Sequence, residues 1–245
     1  RVAGGVWNGL LEERLMSRTI VICGHGPGIS HAVAQRFAKE GFRVALVARN
    51  PERLASAVKS FEAEGVTAKA FPADLADAAA VTRVFDDIRD TFGPVTVVHW
   101  NVYGGGTGDL ATGALGDLRR AVDLSTTNLF AAVQSALPSL RGQDGAALLV
   151  TGGGLAYYDE KVDAMAVSWG AMGLAVAKAS QHKAVGVLRQ RLTGEGIYVG
   201  EVVVLGIVKG TAFDHGNGQL EAGDIAERFW SLYRARDVGS VNFPG

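Results

Sequence analysis

Hydrophobic and polar positions along this chain fall into blocks of two periods. Thr19–Cys23 and Arg43–Ala48 are short, nearly unbroken apolar runs rich in branched residues, the pattern of strands buried on both faces. Between them, from Ile29 to Glu40, Val33, Phe37 and Ala38 recur at helical spacing, with Gln35, Arg36 and Lys39 opposite. The alternation continues. Pro51 suits the first turn of a helix reaching Glu64, Thr67–Phe71 reads as a third strand, and residues 77–91 carry Val81, Val84, Phe85 and Ile88 on one helical face. Val95–His99 is a fourth strand. Long helical patterns over 115–140 and 162–192 then enclose a fifth strand at 145–151. A sixth strand (197–205), a helix (224–234) and a short seventh strand (240–243) complete the series. Strands alternating with such helices predict right-handed βαβ units. The expected fold is therefore an α/β, doubly wound, three-layer sandwich around a mostly parallel seven-stranded sheet.

The junction after the first strand carries the first chemical signal. Gly24, Gly26 and Gly28 turn the chain, and Ile29 and Ser30 open the helix. A strand, a glycine turn and a helix N-terminus offer free backbone N–H groups and a positive dipole end, which suit a phosphate. Glycine lets a diphosphate approach the backbone. Arg49 follows the second strand, where such folds meet the adenosine ribose. A guanidinium there matches a 2′-phosphate by charge and fork geometry, the alternative being a solvated arginine at a strand end. The expected cofactor is NADP(H).

Composition changes this picture little. The chain has 245 residues, 48% hydrophobic and 20% charged, with a formal net charge of -1, which suits one domain over 16–245 and argues against a nucleic-acid surface. Its one cysteine, Cys23, lies inside the first strand, fitting a core residue and a reducing, cytoplasmic compartment. No apolar run approaches the ~20 residues of a membrane span, and neither a membrane nor a metal is expected. Residues 1–15 fit none of the βαβ pattern and read as an N-terminal extension ahead of Met16.

From Arg18 onward the chain resembles the short-chain dehydrogenase/reductase (SDR) family, whose fold is of Rossmann type. The resemblance rests on Gly24-x-x-x-Gly28-Ile29, with Ser30 in place of a third glycine, on Arg49 and Asp74, and on Asn101 within Trp100-Asn101-Val102-Tyr103. It implies that Asp74 meets the adenine amino group, an alternative being that it caps the next helix. It also implies a catalytic asparagine, a serine, and a tyrosine four residues before a lysine. In the family the tyrosine exchanges the proton at the carbonyl oxygen, and the serine orients that oxygen. The lysine lowers the tyrosine pKa and holds the nicotinamide ribose. Counting from neighbouring motifs puts these positions on Ser125, Gly153, Val167 and Ala171, none of which supplies the expected group. Tyr157 and Lys161 reproduce the spacing, but too soon after Gly153 to lie on the long helix; Tyr157 and Tyr158 remain candidates for a relocated donor.

Other polar groups are expected near the crevice: His99 as a core histidine, Tyr103 as a wall, Lys209, Thr211, Asp214 and His215 after the sixth strand. His182 and Lys183 read as the solvated face of their helix. The function expected is an NADP(H)-dependent oxidoreductase acting on a small molecule. The alternative is a non-redox nucleotide-binding protein of the same fold, a sensor or partner subunit. The alanines and glycines of the two long helices, Gly170, Gly173, Ala175, Ala177 and Ala179 among them, permit close helix approach, and the resemblance implies a homodimer or homotetramer.

Overall fold

A computed structural model of the chain describes residues 18–105 and 108–245. The N-terminal extension expected over 1–15, and Gly106 and Thr107 of the glycine-rich loop, lie outside the described residues. Seven strands form one sheet: β1 (Thr19–Cys23), β2 (Arg43–Ala48), β3 (Ala68–Pro72), β4 (Val97–Trp100), β5 (Ala147–Gly153), β6 (Tyr198–Val204) and β7 (Ser240–Phe243). Their order is β3-β2-β1-β4-β5-β6-β7, and every neighbouring pair is parallel. The expected α/β fold is what forms.

Eight α-helices are described: α1 (Ile29–Ala38), α2 (Pro51–Ala63), α3 (Ala78–Phe92), α4 (Leu115–Val122), α5 (Asn128–Leu140), α6 (Glu160–Ser168), α7 (Met172–Leu192) and α8 (Ala222–Ala235). Alternate strand residues feed two separate cores, which is why the strands read as continuous apolar runs. Ile20, Ile22, Leu46, Val97 and Leu149 pack with Phe37 of α1, Leu54 of α2 and Phe229 of α8. Val21, Val98, Trp100, Leu148 and Val199 pack with Ile88 of α3, Leu129 of α5 and Val185 of α7.

Two helical expectations are corrected. The 162–192 pattern is two helices, because Gly170 adopts a left-handed φ of +61°. There the Gly170 N–H donates to Val167 O and the Ala171 N–H to Ala166 O, the paired bonds of a Schellman stop that closes α6 before α7 begins. The 115–140 pattern is interrupted by a π-helical turn, Asp123–Thr127, between α4 and α5. Such turns mark places where a helix gives up regular bonding for another contact.

The chain runs outward from β1 to β3, then crosses back to β4 and proceeds the other way. At such a switch point the loops beyond the strand ends splay apart and leave a crevice. It lies where β1 meets β4.

Candidate functional site

One wall of the crevice is the glycine turn. Gly24 has φ +82°, and a Cβ there would stand 2.9 Å from the Asn101 carbonyl oxygen, so β4, rather than a ligand, demands this glycine. Gly26 faces open space, with no heavy atom within 4 Å of where a Cβ would stand. At Gly28 a Cβ would meet the Thr211 methyl at 2.7 Å, so the loop after β6 leans over the turn. Ser30 is buried; its Oγ accepts the Gly26 N–H at 2.9 Å and lies 3.2 Å from Gly26 O, closing the turn on itself. Among the described residues no side chain caps α1, in contrast to α2 and α3, capped by Asn50 and Asp77. The first N–H groups of α1, from Ile29 onward, therefore remain open toward the crevice.

The other predicted cofactor residues sit around this turn. Val47 O accepts both the Gly24 and the His25 N–H at 3.0 Å, pinning the turn to β2 two residues before the exposed Arg49. Asn101 extends β4 with its N–H on Cys23 O (2.9 Å) and donates Nδ2 to Gly24 O at 3.4 Å. Asp74 is exposed, and its Oδ1 accepts the Ala76 N–H at 3.0 Å, so it shapes the turn while Asp77 caps the helix.

Opposite lies a buried lysine that the sequence reading passed over. Lys178 of α7 donates Nζ to Thr151 O and to Gln181 Oε1, each at 2.8 Å. Gln181 in turn donates Nε2 to Ser125 O at 2.9 Å, a carbonyl presented by the π-helical turn. Two of the three ammonium N–H groups are engaged and one remains. Burial pushes this amine down to about 8, and the Glu201 carboxylate on β6 opposes the shift. A Cβ at Gly153 would lie 3.9 Å from the Lys178 methylenes, so the glycine expected at the serine position does adjoin the lysine. Four residues before Lys178 stands Leu174, buried and without a donor.

Val167 and Ala171 are placed elsewhere. Val167 is exposed on α6, and Ala171 forms the N-terminal boundary of α7 and bridges to Gly108. The extra helix α6 lengthens the β5–α7 connection and shifts a forward count. One signal was available: Lys178 is the single charge in the apolar stretch Leu174–Ala179. Ser125 is fully buried, and its hydroxyl has no hydrogen-bond partner among the described residues.

The candidate tyrosines diverge. The Tyr157 hydroxyl is bonded to Asn242 Oδ1 (2.5 Å) on β7, its ring lies edge-on to His182, and Tyr158 is fully exposed. Neither meets Lys178. Lys161 is exposed on the first turn of α6. The ring near the amine is Tyr103, 5.9 Å from Lys178 Nζ and stacked on Phe213 at 5.6 Å; burial raises its phenol pKa. His182, read as solvated, instead faces Glu201, with Nδ1 at 2.5 Å from Oε2, while Lys183 is exposed. From the loop after β6, Thr211 reaches the turn. Asp214 ties up the N–H groups of Gly210, Gly216 and Gly218, Lys209 pairs with Glu221, and His215 is exposed.

His99 is a core residue. It is fully buried against Phe229, its Nε2 lies 3.0 Å from Thr151 Oγ1, and burial lowers it to about 3. Burial likewise raises the Cys23 thiol far above its usual range, which leaves it inert. Among the described residues there is no cluster of three or more metal-ligating side chains, and no helix is long and apolar enough to cross a membrane.

A doubly wound parallel sheet with a glycine turn at the switch point and a buried lysine across from it defines a class of Rossmann-type folds. The chain belongs to the short-chain dehydrogenase family, whose family model matches residues 18–217. It is 42% identical over 77 residues to 2,3-dihydro-2,3-dihydroxybenzoate dehydrogenase of Bacillus subtilis, covering 31% of this chain and 30% of that protein. It is 32% identical over 131 residues to 3-dehydrosphinganine reductase TSC10B of Arabidopsis thaliana, covering 52% of this chain and 38% of that one. The matched segments thus span between about a third and two fifths of those relatives' lengths. In fold it resembles the blue fluorescent protein from a metagenomic library, solved in complex with NADPH. That comparison has a TM-score of 0.79 and 24% identity, covering 92% of this chain and 95% of the other.

Proposed function

We propose that the chain binds NADP(H) across the C-terminal ends of β1 and β4 and acts as an oxidoreductase on a small carbonyl or alcohol substrate. The observation that carries this reading is Lys178, a buried amine fixed by two acceptors with one N–H to spare, in a family whose helix lysine holds the nicotinamide ribose. Such a lysine is costly to bury and is retained where its charge has a partner. The open N–H groups at the start of α1 and the open face at Gly26 would take the diphosphate, and Arg49 the 2′-phosphate. When bound, the cofactor supplies or accepts hydride at its nicotinamide ring.

The family's other three proton-handling groups are not replaced one for one. Leu174 is where the resemblance calls for a phenol one turn before the lysine, and Gly153 and Ser125 offer no exposed hydroxyl or amide at the serine and asparagine positions. Leu174 also favours a second reading, in which the protein binds NADP(H) without turnover, as a sensor or partner subunit. General acid catalysis contributes about 10²–10⁴-fold, so ordinary ketone reduction is expected to be slow in either case. Tyr103, whose ring lies 5.9 Å from Lys178 Nζ, is the donor proposed for any turnover. The one buried thiol suits a reducing, cytoplasmic setting.

Calorimetric titration with NADPH and NADH tests the binding reading. Lys178→Met is expected to weaken both cofactors, since both carry the nicotinamide ribose, whereas Arg49→Ala weakens NADPH alone. Each loses a charge-assisted contact of about 1.5–3 kcal/mol, or roughly ten- to more than a hundredfold in Kd. Equal NADPH and NADH affinities in the unaltered chain overturn the 2′-phosphate assignment. NADPH oxidation above about 1 s⁻¹ on a panel of ketones and aldehydes, within the usual enzyme range, decides against the binding-only reading.

A further inference from the structure

Two histidines meet at the glycine turn. His25 is the second residue of the turn, and its N–H shares the Val47 carbonyl with that of Gly24. Its Nε2 lies 3.2 Å from Nδ1 of His31 in the first turn of α1, with the rings edge to face at 5.4 Å. The His31 ring rests at 5.1 Å on Phe61 of α2. The pair thus bridges the turn, the start of α1 and the far end of α2, on the side where β2 ends one residue before Arg49. Neither His25 Nδ1 nor His31 Nε2 has a hydrogen-bond partner among the described residues.

Donor counting shows what this arrangement can do. A neutral imidazole carries one N–H and one lone pair. In the neutral pair one N–H is used internally, so the two outer nitrogens present one donor and one acceptor. Adding one proton keeps the internal bond and turns both outer nitrogens into donors, with a positive charge behind them. A second proton would set two N–H groups face to face and break the pair. The device therefore holds zero or one proton, and only the protonated form suits a phosphate.

The surroundings keep it neutral until an anion arrives. Burial first, and then the neighbouring His31, lower His25 to about 4; burial also lowers His31, against the pull of Glu64 at the end of α2. Arg49 stands exposed just beyond β2, while Ser30 of α1 and Thr211 of the loop after β6 face this turn uncharged.

We propose that the His25–His31 pair recognises the 2′-phosphate of NADP(H) by taking up one proton on binding, so that the preference for NADP(H) over NAD(H) strengthens as pH falls. This deepens the NADP(H) reading above and rests on it. The proton comes from solvent and no covalent bond changes.

Titration of the full chain with NADPH and NADH, at pH 8.0 and 7.0 and in two buffers of different ionisation enthalpy, measures the protons exchanged. The expected result is uptake of up to one proton with NADPH and none with NADH. Proton linkage then makes NADPH affinity rise by up to tenfold between pH 8.0 and 7.0 while NADH affinity stays flat. His31→Gln and His25→Gln, shown by circular dichroism to be folded, should abolish the uptake and flatten the NADPH profile. Equal uptake for both cofactors overturns the proposal. So does uptake with NADPH that persists in both variants, because a group other than the histidine pair then takes the proton; the phosphate's own second ionisation near 6 would release protons in a cationic site rather than take them up. If neither cofactor binds, or both bind equally, the NADP(H) reading itself fails; if NADPH is preferred without proton uptake, only the histidine device does.

Discussion

A single buried side chain can set how a protein answers to acid, and His99 is placed to do so. It is fully buried beside Thr151 and Phe229, where burial lowers it from 6.5 to about 3. In the unfolded chain it binds a proton as pH falls through 6.5; in the folded chain it does not until about 3. The unfolded state holds more protons in this window, so stability rises with pH across it and is lost as pH falls. The slope is about 1.4 kcal/mol per pH unit for one histidine. Urea unfolding at pH 7, 6, 5 and 4 should show this decline, and His99→Asn, although less stable throughout, should show a shallower one. Identical slopes would place the acid sensitivity elsewhere. His25 titrates in the same direction in the free protein. Both effects come from burial, a property no stretch of sequence states.

At the scale of elements, α1 and α8 hold the glycine-turn end of the crevice in place. Phe37 of α1 is fully buried and lies 5.2 Å from Phe42, 5.1 Å from Trp230 and 5.2 Å from Tyr233, the last two on α8. Aromatic rings meeting edge to face fix the angle between helices as well as burying area. Phe37→Ala leaves a cavity under the N-terminal helix of the site and should cost about 3–5 kcal/mol of stability, read from the urea midpoint. A loss below about 1 kcal/mol would mean that the cluster closes over the gap. The opposite layer works through polar contacts. The π-helical turn before α5 turns the Ser125 carbonyl toward Gln181, and Gln181 holds Lys178, so a local fault in one helix orients a residue on another.

Across the whole molecule, the apolar side chains left outside the two cores bear on assembly. Phe130 of α5 and Val176 and Val187 of α7 are 38%, 43% and 57% exposed. Exposed apolar residues on neighbouring helices suit a surface that a second copy covers. Light scattering at micromolar concentration should give two or four times the chain's 25.6 kDa. Val176→Glu should shift the particle toward the single-chain mass with helix content unchanged. A single-chain mass for the unaltered protein would rule the assembly out.

The order of the strands, the parallel sheet and the glycine turn were legible in the chain because hydrophobic period is a property of contiguous residues. The apolar run Thr19–Cys23 is buried on both faces, and Gly24 to Ile29 announces its turn by position alone. The chemistry at the other wall was not legible. Lys178 reaches Thr151 across 27 residues, and that distance holds a Schellman stop and an added helix that no fixed spacing anticipates. Tyr157, which matched a motif in sequence, is drawn to Asn242, 85 residues on, because β7 brings that residue beside it. The His25–His31 contact spans only 6 residues, yet it exists because the turn is pinned to β2 and α1 starts where the glycines end. Local patterning decided which elements form. Register, loop length and burial, which join residues far apart, decided which side chains meet and what charge they carry.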